Sequence, residues 1–121
     1  MIKNLTYAND VEVTSLYGAV TIGAAGAITS QTSLGFTVAY DGSAGKYTAT
    51  LDRPFPELLF ASAVPSLATA TECVLQLGAI DMANSARTVK FINTTSGVAA
   101  ELASGTILYL MLVLKDSTCT P

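Results

Sequence analysis

Nine carboxylates, two thiols and no histidine are what this 121-residue sequence offers for acid–base, nucleophilic or metal chemistry. Losing histidine removes the commonest general base and the commonest metal ligand, so no triad of the usual kind can be written. The acids Asp10, Glu12, Asp41, Asp52, Glu57, Glu72, Asp81, Glu101 and Asp116 stand singly, mostly at strand ends and turns. A spatial pair such as Asp52 with Glu57 is the one arrangement that would serve hydrolysis of the glycosidase type, whereas acids in turns ordinarily cap local backbone groups. Cys73 and Cys119 have no Cys-x-x-Cys or histidine company, which a zinc site needs. Calcium loops of the Asp-x-Asp-x-Asp kind are missing, and "GAAGAITS" from Gly23 to Ser30 lacks the lysine and the helix that cradle a phosphate. The expectation is a chain that is not an enzyme, with no catalytic residues, no metal and no cofactor.

Charge and hydropathy narrow the partners. Six Lys and Arg against nine Asp and Glu give a net charge of −3, and Lys3, Lys46, Arg53, Arg87, Lys90 and Lys115 are scattered without forming a stripe that would neutralise phosphates. No nucleic-acid partner is expected. Half the residues are apolar and only 12% are charged, with a mean hydropathy of +0.49; a soluble domain usually carries about a quarter charged residues. Something other than water should therefore cover part of the surface. It is not expected to be lipid, because a spanning helix needs roughly 20 consecutive apolar residues and the longest run is far shorter. The opening "MIKNLTYANDVEVTS" is too polar for a signal peptide, so the reading is a chain made in a cytoplasm with reduced cysteines. In that setting the acceptor patterns at Asn4 and Asn93 are coincidental.

The elements that must position these residues read as strands. Turn-forming clusters at Gly23 to Gly26, Asp41 to Gly45, Met82 to Ala86 and Thr94 to Gly97 separate runs rich in Val, Ile, Thr, Tyr and Phe, the pattern of an all-β chain. About eight short strands are expected, in a single-domain antiparallel β-sandwich or barrel of jelly-roll-like kind. Residues 1–17 would be an N-terminal arm or first strand, 18–117 the sandwich and 118–121 a tail. The similar "GAVT" and "GAIT", starting at Gly18 and Gly26, fit the two arms of a hairpin bent at Gly23 to Gly26. Pro54 and Pro56 in "DRPFP" stop any ladder, so one strand ends near Asp52 and another begins near Leu58. That loop is either a rigid docking loop presenting Phe55 or a crossover between sheets, and the crossover is the simpler reading. "VPSLATATE" has room for one helical turn, but Pro65 and its threonines oppose a long helix. Cys73 reads as a small apolar residue sharing a strand face with Leu75 and Leu77.

One run needs a partner on both sides. In "TILYLMLVLKDS", Leu108, Leu110, Leu112 and Leu114 point one way while Ile107, Tyr109, Met111 and Val113 point the other, and neither face is polar. Leaving Ile107, Met111 and Val113 in water forgoes roughly 1.5–3 kcal/mol each relative to burial. A two-layer sandwich has no third layer with which to cover an outer face. A subunit interface containing Ile107, Tyr109, Met111 and Val113 follows as the expectation, against the alternative of a strand wholly inside its own fold.

The stretch "GKYTATLDRPFPELLFASAVPSLATATECVLQL", then "TVKFIN", then "ASGTILYLMLVLKDS", resembles small virion structural proteins of tailed bacteriophages, of the capsid decoration (cement) or head-fibre kind, over Gly45 to Ser117. The resemblance implies a β-sandwich or barrel, a homo-oligomer with a trimer favoured, residence in the virion after synthesis in the host bacterial cytoplasm, and the major capsid protein or another virion protein as partner. It also implies an N-terminal arm that adds a strand to the capsid, here Met1, Ile2, Lys3, Asn4, Leu5, Thr6 and Tyr7, although Leu5, Val11, Val13 and Leu16 equally fit an ordinary first strand. The alternative function is a receptor- or carbohydrate-binding fibre module, with Tyr7, Tyr17, Tyr40 and Phe55 as the aromatics that would stack on sugars.

Overall fold

Alternating side chains and glycine-bearing turns build nine strands among the described residues: β1 (Val13–Ile22), β2 (Ile28–Ser33), β3 (Phe36–Tyr40), β4 (Lys46–Leu51), β5 (Glu57–Ser66), β6 (Val74–Asp81), β7 (Thr88–Thr95), β8 (Val98–Ala99) and β9 (Ile107–Lys115). This is a computed structural model, and it describes residues 13–67 and 72–116. The strands form two antiparallel sheets packed face to face, one of four strands in the order β2-β1-β9-β5 and one of five in the order β3-β4-β7-β6 with the short β8 on β7. The chain is therefore an all-β sandwich, with one two-residue strand beyond the expected eight.

The long apolar run becomes β9, a central strand hydrogen-bonded to β1 on one side and β5 on the other. Its even-numbered leucines, Leu108, Leu110, Leu112 and Leu114, are buried and meet Phe36, Val38, Tyr47, Leu51, Val89 and Phe91 from the other sheet. Period-two alternation on each strand thus places one apolar face of each sheet in a single core.

The connections follow the turn chemistry. β1 and β2 form the expected hairpin, closed by a short 3-10 turn at Ala24–Gly26. At Ser96 and Gly97, φ values of 53° and 79° fit the two-residue turn that a tight right-twisted hairpin needs, joining β7 to β8. The chain changes sheet after β2 and again between β4 and β5, so "DRPFP" is the crossover, with the strands ending at Leu51 and resuming at Glu57. Pro65 lies inside β5, which tolerates it because β5 is a sheet edge.

Of the two readings of "DRPFP", the docking loop is the one overturned. Phe55 is no docking side chain: it is only 4% exposed and belongs to the core, its ring covered by the Arg53 guanidinium 4.1 Å from the centroid. Cys73 stands one residue before β6 and, like Leu75, is half-buried against the core, the side that Leu77 also faces. Val13 and Leu16 do form a first strand, whereas the proposed arm Met1, Ile2, Lys3, Asn4, Leu5, Thr6 and Tyr7 lies outside the described residues, as do 68–71 of "VPSLATATE" and the tail.

Candidate interaction surface

The outer face of the four-stranded sheet is where the second half of each alternating strand ends up. Register places Tyr17 and Ser62 on either side of Met111, Ala19 and Val64 on either side of Tyr109, and Ser15 and Phe60 on either side of Val113. Cross-strand neighbours stand about 5 Å apart at Cβ, so these side chains form one continuous surface over β1, β9 and β5. Tyr17, Phe60, Val64 and Tyr109 are exposed, with Tyr17 57% and Tyr109 51% accessible, while Ile107, Met111 and Val113 are half-buried. A shallow groove of about 310 Å³ runs between Tyr17, Tyr109 and Met111 on one side and Ser62 and Val64 on the other. The only acid and base that strand register places on this face are Glu57 and Lys115, paired opposite each other at one end.

The other sheet presents a different outer face. Thr37 pairs with Thr50, Ala39 with Thr48 and Lys46 with Ile92, so the side chains that turn away from the core there are mostly threonine and lysine. Lys90 reaches Asp41 at 3.6 Å, and Asp41 accepts the Thr48 hydroxyl at 2.6 Å. A hollow of about 200 Å³ lies beside Lys90, Lys46 and Asp41, over Gly78. One face is thus built for water; the other is not.

The remaining polar groups fasten the fold. Glu101 accepts the Tyr40 hydroxyl at 2.6 Å and the Gly45 N–H at 2.9 Å, while Tyr47 donates to the Gly26 carbonyl at 2.8 Å. Three loops at one end of the sandwich are tied together in this way. Burial first, then the nearby Glu101 charge and Tyr40, push the Tyr47 phenol up to about 12; the hydrogen bond to Glu101 leads in raising Tyr40. At the other end Arg53 grips Asp116 through both guanidinium nitrogens at 2.9 and 2.8 Å, and Thr14 donates to the same carboxylate at 2.7 Å. The Arg53 hydrogen bonds, then that of Thr14, hold the Asp116 carboxyl below its ordinary range.

Asp52 and Glu57, the pair considered for hydrolysis, are both exposed, and no group of three or more metal-ligating side chains occurs among the described residues. Asn93, an acceptor-pattern residue, is fully buried with its amide donating to the Ala100 carbonyl at 2.8 Å, so a glycan cannot be accommodated there in the folded chain. Among the described residues no helix is long and apolar enough to cross a membrane.

The four interface candidates Ile107, Tyr109, Met111 and Val113 therefore share one outward surface, joined by Tyr17, Phe60 and Val64, which sequence reasoning did not place there. Alternation within "ELLFASAVPS" was the available signal for Phe60 and Val64, but the pairing of β5 with β9 is a long-range fact no local pattern encodes. Comparison with protein-family models, curated proteins and solved structures finds no match to this chain.

Proposed function

We propose that this chain is a non-enzymatic structural protein that acts by assembly, its four-stranded sheet seating another copy of itself. One observation carries the reading: an outer sheet face bearing Tyr17, Phe60, Val64, Tyr109 and Met111 with charge only at one end, on a molecule whose opposite face is threonine and lysine. Soluble monomers rarely expose contiguous apolar surface beyond a few hundred Å², and an obligate interface resembles a domain core cut in half. The likeness to phage decoration proteins supplies the setting. In this proposal the oligomer, a trimer by that likeness, sits on a virion shell against the major capsid protein, and many repeated weak contacts add up through multivalency.

The second reading, a carbohydrate-binding fibre module, keeps Tyr17 as an exposed stacking surface and gains Tyr109 on the same face, while Tyr7 lies outside the described residues. It loses Phe55 to the core and finds Tyr40 held by Glu101. A glycan array separates the two, since clear saccharide binding abolished by Tyr17→Ala would favour the fibre module.

Sedimentation of Tyr109→Glu and Met111→Asp variants tests the leading proposal. Both place a carboxylate in the middle of the apolar face without touching the core leucines, so both should run as folded monomers where the parent chain is assembled. Variants that assemble as the parent does would contradict it.

A further inference from the structure

The two open sides of the sandwich are not alike. Where β2 faces β3, Gln31 closes the gap: its side-chain amide donates to the Val38 carbonyl at 2.9 Å and accepts the Val38 N–H at 3.0 Å, as a neighbouring strand would. Ser33 adds a bond to the Phe36 carbonyl at 2.7 Å. The outward residues of β2 include Ser30 and Thr32, so apart from the exposed Leu34 in the turn to β3 this side is polar, and the Val38 and Phe36 backbone groups are bonded.

On the opposite side, where β5 faces β6, no side chain among the described residues bridges the two strands by hydrogen bonds in this way. Leu77 and Ile80 pair with the buried Phe91 and Val89, which fixes them on the core face of β6, yet they remain 41% and 44% exposed. The cause lies across the gap, where β5 turns the small Ala61 and Ala63, with Pro65, inward beyond Leu58. Leu59, the unpaired residue at the bulge of this edge strand, is exposed as well. The core runs out to solvent along this seam, and it does so next to Phe60 and Val64 on the outer face.

Area decides whether seam and face act separately. Three strands at a spacing of about 4.8 Å and some nine residues at about 3.3 Å each give β1, β9 and β5 a flat footprint of roughly 400 Å², to which the shorter β2 adds roughly 100 Å². A standard stable interface needs about 800 Å² per partner. The face alone falls well short of that, and of the apolar surface adjoining it, Leu34 beside Tyr17 offers one large side chain, whereas the seam, reached by passing around β5, offers Leu77 and Ile80 together.

We propose that a second copy of this chain covers the seam between β5 and β6 together with the outer face, so that the interface wraps around β5. This deepens the self-association reading above and rests on it. An interface confined to the flat face would leave Leu59, Leu77 and Ile80 wet in the assembled state; one that wraps β5 would bury them.

Sedimentation equilibrium on the parent chain and on Tyr109→Glu, Leu59→Glu, Leu77→Glu and Thr32→Glu tests this, with circular-dichroism melting to confirm folding. The wrapped interface requires that Tyr109→Glu, Leu59→Glu and Leu77→Glu each weaken association at least tenfold while Thr32→Glu, on the closed side, stays within twofold of the parent. Should Leu77→Glu not fold, Leu59→Glu decides the matter. If Tyr109→Glu dissociates but folded seam variants assemble as the parent does, the wrapped interface is overturned and the face reading stands. If the seam variants dissociate and Tyr109→Glu does not, the face reading falls. A parent chain that stays monomeric to millimolar concentration overturns both.

Discussion

Gly45 shows how tightly single residues fix one end of this sandwich. Its φ is +71°, and a Cβ there would meet the Ala100 and Asn93 carbonyl oxygens at 2.4 and 2.6 Å, both of them backbone atoms that cannot swing away. Gly45→Ala should therefore cost more than the ~1 kcal/mol typical of a point substitution, seen as a lowered urea midpoint with an unchanged slope. Tyr47→Phe removes the one donor to the Gly26 carbonyl and should cost about 1–3 kcal/mol in the same measurement. The native chain carries a pH signature from this phenol. A folded pKa near 12 against an ordinary 10 means the folded state holds the proton more tightly, so stability is full below pH 10 and falls as the pH rises towards 12. A spectrophotometric titration should show one tyrosine ionising late and together with unfolding. Asp116 has the opposite sign: its folded pKa lies below the ordinary 3.8, so its contribution is present above that pH and disappears as acid protonates it. Asp116→Asn should lower the melting temperature at neutral pH and make no difference once the pH is below the native Asp116 pKa.

At the level of elements, β9 organises the molecule. It is flanked by strands on both edges and packed by leucines on its inner side, and Leu112→Ala should cost about 2–5 kcal/mol in chemical denaturation because a central strand cannot collapse around the void. Much of this was legible from spacing. The turn clusters marked strand ends, the two prolines of "DRPFP" marked a change of sheet, and alternation in "TILYLMLVL" separated the four buried leucines from the outward Ile107, Tyr109, Met111 and Val113. What local pattern could not supply was partnership between distant segments. Phe55 sits in a proline-bracketed loop and looked exposable, but the crossover folds it under Arg53 into the core. Phe60 and Val64 joined the candidate surface only once β5 was seen beside β9, a pairing across some fifty residues. Gln31 would pass for a surface residue in any local reading, yet it acts as the strand substitute that closes one side.

On the scale of the whole molecule the asymmetry is what matters. The mostly threonine and lysine face and the Gln31-closed side are the more polar surfaces, with Val74 and Leu34 as their exposed apolar side chains. The face of β1, β9 and β5 and the seam beside β5 are unfinished, with aromatic and aliphatic side chains left half in water. Burying apolar surface stabilises by about 25 cal/mol per Å² before association costs are subtracted, so association should strengthen with modest warming and be little weakened by salt. Titration of the assembled chain between 50 mM and 500 mM sodium chloride should leave its dissociation constant within a fewfold. A strong loss of affinity with salt would point instead to a charged interface.

The most direct test of the account is the mass of the native chain in solution, measured by light scattering across micromolar to millimolar concentration. The expected result is a defined multiple of the 12.5 kDa protomer, persisting on dilution into the micromolar range. A single protomer mass at every concentration, with Tyr109 as accessible to solvent as in the isolated fold, would contradict it.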